Sequence, residues 1–200
     1  YQIAALMEKG KDNWQSLFYL EKIENEVGQT RETLLGKSRI YENLGMKKEA
    51  LSQLRLAIVG HEEDYVVYGM MAEHFRMMSK NDSAEYYYEK IYYDHQDDAN
   101  VVLSYGEFLL ATEQNEKAVK MYASLFGNSR VDDGIKVRYL YSALQDQNFF
   151  NKIRPIIDTA VNILLNNSPD KLNIMSLYCD VNYRLGNYDA SSIVLREIIA

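Results

Sequence analysis

Three segments of this chain repeat one another at a fixed interval, and that periodicity decides what the chain can fold into. Gly45-Met-Lys-Lys-Glu-Ala50, Ser79-Lys-Asn-Asp-Ser-Ala84 and Glu113-Gln-Asn-Glu-Lys-Ala118 place their alanines at equal intervals, from 50 to 84 and from 84 to 118. Upstream of each turn, residues recur with the spacing of one helix face: Leu34, Ser38, Tyr41; then Tyr68, Ala72, Phe75; then Val102, Gly106, Leu109. Downstream of each alanine, one helical turn on, stand Leu54, Tyr88 and Tyr122. A period of this length means one supersecondary unit stacked on copies of itself, each copy burying its neighbour's apolar face. Composition agrees. Two prolines and ten glycines in 200 residues leave little material for a β protein's turns, and Leu, Ala, Glu, Lys, Met and Tyr favour helices. At 47% hydrophobic the chain can bury a sizeable core.

The alternation of a large residue, a small one a helical turn later and an aromatic or apolar one after that, followed by a second helix with Ala-x-x-x-aromatic, resembles the tetratricopeptide repeat family. That family's period, about 34 residues, is the interval between these alanines. The resemblance implies an all-α fold: a right-handed α-solenoid of about six antiparallel helix hairpins, a tetratricopeptide-like superhelix. In it the small residue (Ser38, Ala72, Gly106) lets the first helix approach the alanine of the second, and the aromatics fill the wedge toward the next copy. Two further copies are degenerate. Tyr139, Leu140 and Ala143 lead to Asn148-Phe149-Phe150, with Lys152 where alanine is expected. Tyr178-Cys179 leads to Gly186-Asn-Tyr-Asp-Ala190-Ser191, which arrives late: one period counted from Gln147 would end at Val181, not Gly186. An insertion is therefore expected in Asn166–Asp170, with Ser168 capping a helix that begins at Pro169. Gly10-Lys-Asp-Asn-Trp14 matches the turn of a first, truncated copy. The expected repeats are 1–28, 31–64, 65–98, 99–132, 133–169 and 170–200, one domain truncated at both ends and containing twelve helices. Neither end reads as a polar cap: Ile3, Leu6 and Met7 at one end, and Ile193, Leu195, Ile198 and Ile199 at the other, expect further chain or self-association to cover them.

Function classes narrow by elimination. The net charge of −7, with 22 basic and 29 acidic residues, offers no basic footprint for nucleic acid. No apolar run reaches the ~20 residues that span a bilayer. Cys179 is the single cysteine, so no disulfide forms within the chain, and it falls in the small slot of a first helix, a packing position rather than a nucleophile's. His61, His74 and His95 never share a helix turn, and Asp94-His95-Gln-Asp97-Asp98 reads as a solvated turn with helix-capping carboxylates rather than a metal loop. His74, beside Glu73, reads as a surface or groove residue. No nucleophile elbow, phosphate loop or paired cysteine motif is present. No catalytic residue, metal or cofactor is expected, and the chain reads as a non-enzyme. Asn81-Asp-Ser83 and Asn166-Asn-Ser168 match the glycosylation pattern, which chance supplies often. Tyr86-Tyr-Tyr88 with Tyr92-Tyr93 puts Tyr88 in the core and Tyr86 with Tyr93 on another face.

By resemblance, first helices line a concave groove. The implied partner-binding positions are Leu35, Arg39, Glu42 and Asn43; Glu73, Arg76 and Met77; Leu103, Glu107 and Leu110; Tyr141 and Leu144, with Gln145; and Tyr183 and Arg184, with Asp180. This mixture suits an unidentified protein or amphipathic peptide. Family members that grip acidic chain termini of heat-shock proteins use a Lys and Asn clamp. Leu35 and Arg39 stand in its place here, and Glu73 and Glu107 add negative charge against that ligand. The expected function is a protein–protein interaction scaffold, a segment of a longer bacterial repeat protein; the alternative is a regulatory or docking segment of an enzyme whose catalytic domain lies elsewhere. The chain begins at Tyr1, which leaves a leader segment undetermined and the compartment open between cytoplasm and bacterial cell envelope.

Overall fold

A computed structural model describes residues 13–59, 62–168 and 171–199. The expectations placed on Tyr1–Met7, on Gly10–Asp12, on His61 and on Pro169–Asp170 lie outside these. Among the described residues there are eleven helices and no strand: α1 (Asn13–Val27), α2 (Arg31–Asn43), α3 (Lys47–Ile58), α4 (Tyr65–Met77), α5 (Asn81–Tyr92), α6 (Ala99–Ala111), α7 (Asn115–Gly127), α8 (Asp133–Gln145), α9 (Gln147–Asn167), α10 (Leu172–Leu185) and α11 (Tyr188–Ile199). The all-α hairpin architecture is as the period predicts. The chain forms two compact units, Tyr1–Ile91 and Tyr92–Ala200, so α1 to α5 belong to the first and α6 to α11 to the second.

Each of four hairpins closes with the same turn. Gly45, Ser79, Glu113 and Gly186 all take positive φ, of 75°, 57°, 61° and 87°. The following amides reach back to first-helix carbonyls: Met46 to Tyr41 at 2.8 Å, Lys80 to Phe75 at 3.0 Å, Gln114 to Leu109 at 2.8 Å and Asn187 to Asn182 at 2.8 Å. This bond pattern caps carbonyls that the helix end leaves unpaired and reverses the chain at once. Only the glycines hold that conformation without a Cβ penalty. The starts of the first helices repeat as well. Thr30, Asp64, Asp98 and Asp132 are the N-caps of α2, α4, α6 and α8. Thr30 forms a capping box with Thr33, and Asp64 and Asp98 accept from amides of their own first turns.

Packing follows the small positions. From α3 onward the fourth residue of each second helix is buried: Ala50, Ala84 and Ala118, then Phe150 and Ser191. Opposite them Ser38, Ala72 and Cys179 are buried too. In the last hairpin the approach is close enough for Ser191 Oγ to donate to the Cys179 carbonyl at 3.1 Å. At Gly106 even a methyl group is too much, because a Cβ there would lie 2.7 Å from Tyr122 Cζ.

The fourth hairpin departs from the sequence expectation. A single residue, Asp146, separates α8 from α9 and is both the end of one and the N-cap of the other, accepting from Asn148 N at 2.8 Å and Phe149 N at 3.2 Å. The shortened turn moves the buried slot from Lys152, which is exposed, to Phe150. Nor is the insertion a loop. It lengthens α9 to 21 residues, with Phe150, Ile153, Ile156, Ile157, Ala160, Val161 and Leu164 along one buried face and Pro155 on the exposed side. Ser168 ends α9 rather than starting α10, whose N-cap is Lys171, because the apolar spacing carries the helix on to Asn167.

Candidate partner-binding faces

In the first unit the face that matters is carried by α2 and α4. The Glu42 carboxylate divides its oxygens, Oε1 on His74 Nδ1 and Oε2 accepting from Lys47 Nζ. Glu73 does likewise: Oε1 accepts from the Tyr88 hydroxyl, while Oε2 accepts from Arg76 Nε at 2.8 Å and Nη2 at 2.6 Å. His74 is therefore not a surface residue: at 1% exposure it is an interior link from α4 to α2, set edge-on to Phe75 with ring centroids 5.5 Å apart. Burial first, and then the Glu73 carboxylate, raise the Tyr88 hydroxyl well above the usual phenol range. Leu35 is only 7% exposed and packs in the core, whereas Arg39, Asn43, Arg76 and Met77 stand in solvent, Met77 at 53%.

Behind this face the tyrosine run separates as its helical spacing requires. Tyr88 is buried. Tyr87 lies between Phe75 (centroids 5.6 Å, planes 1° apart) and Tyr68 (6.0 Å, 20°), and Lys90 Nζ sits 3.9 Å above the Tyr68 ring. Tyr86 is exposed.

In the second unit the first helices are α6, α8 and α10. Leu110 is 8% exposed and belongs to the core, and Leu103 is half-buried. Glu107 pairs with Lys152 at 3.4 Å, both partly exposed. Tyr141 and Leu144 are half-buried, and burial, helped by Asp180, pushes the Tyr141 hydroxyl up. Gln145 and Asp180 are exposed, and Tyr183 projects at 67% exposure with its ring 5.3 Å from that of Tyr188. Arg184 is engaged within the fold. It donates to the Leu144 carbonyl and to Gln147 Oε1, the latter at 2.6 Å, and lies over the Phe150 ring at 4.7 Å, so it closes the shortened fourth turn.

Two polar devices went unread in the sequence. Arg31, the first residue of α2, holds the Asp64 cap from 33 residues away and keeps that carboxyl below the usual range. Its signal was available, since Thr30, Asp64, Asp98 and Asp132 recur at the same period as the alanines. The buried Lys136 donates to the Phe126 and Asn128 carbonyls at 3.2 and 2.7 Å, satisfying the end of α7. Asp133 pairs with it at 3.4 Å and with Lys171 at 2.6 Å. No local pattern distinguishes this lysine from a solvated one.

Among the described residues no three His, Cys, Asp or Glu side chains converge on a metal-sized site, and no helix is long and apolar enough to cross a membrane. In the turn weighed against a metal loop, Asp98 caps α6 and Asp97 accepts from Asn128 and Arg130 at 2.5 and 3.3 Å.

The recurring hairpin and its turn define a helical-repeat protein with the tetratricopeptide fold, and comparison with known proteins bears on that class. The chain is similar to a tetratricopeptide repeat protein from Parabacteroides merdae ATCC 43184, with a TM-score of 0.51 and 17% identity, over 84% of this chain and 65% of that one. It is also similar to BtubC (BKLC) from P. vanneervenii, with a TM-score of 0.50 and 11% identity, over 99% and 90% of the two chains. No family model and no curated protein matches the sequence. At these identities the likeness concerns the fold alone.

Proposed function

We propose that the chain is a binding scaffold rather than an enzyme, holding a peptide or partner protein against the exposed faces of its first helices. In the first unit this face is formed by Arg39, Asn43, Arg76 and Met77; in the second, by Tyr141, Leu144 and Tyr183. The observation that carries the reading is the pairing on α2 and α4. Glu42 and Glu73, each with one oxygen on a buried partner (His74 and Tyr88) and the other on Lys47 or Arg76, are held in place, while Arg39, Asn43 and Met77 on the same helices are left in solvent. A rigid polar backing with exposed mixed side chains is what recognition of an amphipathic segment requires. A photo-crosslinking residue at Met77 or Tyr183 tests it. A partner in host extract should crosslink at these positions and not at Tyr86 on α5. Equal crosslinking at Tyr86 would remove the assignment to first helices.

A further inference from the structure

The charge on the α2–α4 face is not what a residue count implies. Glu42 and Glu73 read as negative positions in the sequence, yet all four of their oxygens are occupied, by His74, Lys47, Tyr88 and Arg76. An incoming ammonium or guanidinium must compete there with contacts already made, and displacing them would leave partly buried groups unpaired. Glu32, the other carboxylate of α2, is exposed and lies beside Arg31 at 3.7 Å. Arg39 is different. It lies in solvent one helical turn before Asn43, and no carboxylate comes within ion-pair distance of its guanidinium among the described residues. An exposed Met77 stands on the neighbouring first helix, one repeat period after Asn43.

Resting on the binding reading above, we propose that this face selects an internal peptide segment pairing Asp or Glu side chains with an apolar residue, Arg39 taking the carboxylate and Met77 the apolar group. The selectivity arises from charge complementarity in a chain that is otherwise acidic overall, with a net charge of −7. A planar guanidinium binds a carboxylate through two parallel N–H bonds, and the flexible thioether of methionine adapts to apolar partners of varied shape.

The test is selection of a random linear-peptide phage library on the intact chain and on Arg39→Glu, with Arg39→Gln and Met77→Gln for measurement. Displayed peptides have no free C-terminus, so enrichment reports side-chain carboxylates. The expected result is enrichment of Asp or Glu beside Leu, Ile, Phe or Met, lost on Arg39→Glu. The selected peptide, labelled and followed by fluorescence anisotropy, should bind Arg39→Gln roughly tenfold or more weakly, lose affinity with added salt, and weaken on Met77→Gln. Circular dichroism should match wild type for all three variants, since both side chains are in solvent. Enrichment of neutral or basic peptides, or of acidic ones that survive Arg39→Glu, overturns the proposal and leaves the binding reading standing. No enrichment from either protein overturns both.

Discussion

Gly106→Ala should destabilise the second unit, although alanine is the better helix former. Gly106 lies in the interior of α6, where exchange for alanine alone would gain about 0.5–1 kcal/mol. Against that, the new methyl would lie 2.7 Å from Tyr122 Cζ and 3.0 Å from its hydroxyl oxygen, and closer still to Cε2. The ring has nowhere to go. Tyr122 is buried, packs on Phe126, and pairs its hydroxyl with that of Tyr139 at 2.7 Å. Overpacking of this kind costs about 1–3 kcal/mol, and disturbing the buried hydroxyl pair adds about 1 kcal/mol. The net loss is about 1–3 kcal/mol. Gly69→Ala is the internal control. It is also within a first helix, but a Cβ there meets only Ile91 Cδ1 at 3.9 Å, so this variant should gain about 0.5–1 kcal/mol. Urea unfolding followed by far-UV circular dichroism gives both values. The double variant Gly106→Ala, Tyr122→Leu should lose less than the sum of its single changes. Stabilisation by Gly106→Ala, or strict additivity of the pair, would refute the close approach of α6 to α7.

Other expectations follow from the same geometry. Ala84→Leu overpacks a fully buried slot and should cost roughly 1–3 kcal/mol, whereas Ala111→Leu, on an exposed position, should change the melting temperature little. Ser79→Gly and Glu113→Gly relieve a left-handed conformation worth about 1–2 kcal/mol against a glycine entropy cost of about 0.5–1 kcal/mol, so each should raise the melting temperature. Arg31 holds Asp64, and Lys171 with Lys136 holds Asp133, below the ordinary carboxylate range. Stability from both is present above the unfolded pKa of about 3.9 and lost as pH falls through the lower folded values. The urea midpoint should therefore drop on acidification below about pH 5, and Asp64→Asn with Asp133→Asn should flatten that dependence.

Most of the hairpin plan was legible because it rests on local chemistry that repeats. Ala50, Ala84 and Ala118 are small where helices cross, and Ser38, Ala72 and Gly106 answer them, so size and spacing together exposed the register. The fourth hairpin escapes such reading because the sequence there keeps an apolar face while dropping the turn. Lys152 occupies the counted position, but Asp146 serves two helix ends at once and Phe150 moves into the slot. Burial of His74 and Lys136 could not be read locally, since each is offset by partners on other helices, Glu42 in one case and the α7 carbonyls in the other. The face residues divide on the same ground. Leu35 and Leu110 turn inward with the core, Arg184 is consumed by a neighbouring turn, and Arg39, Met77 and Tyr183 stay in solvent.

Amide hydrogen exchange at Met46, Lys80, Gln114 and Asn187 tests most directly that these hairpins are copies of one unit. Each of these amides lies just past a helix end, where an unrelated loop would leave it open to solvent, yet each donates to a carbonyl in the last turn of the preceding helix. All four should be protected to a degree comparable with helix interiors of their own unit. Asn148, whose amide is held only by the Asp146 side chain, should exchange faster. Rapid exchange at Lys80 and Gln114 alongside protection at Met46 would contradict the account, because it would mean that the regular spacing of the alanines does not carry a common turn.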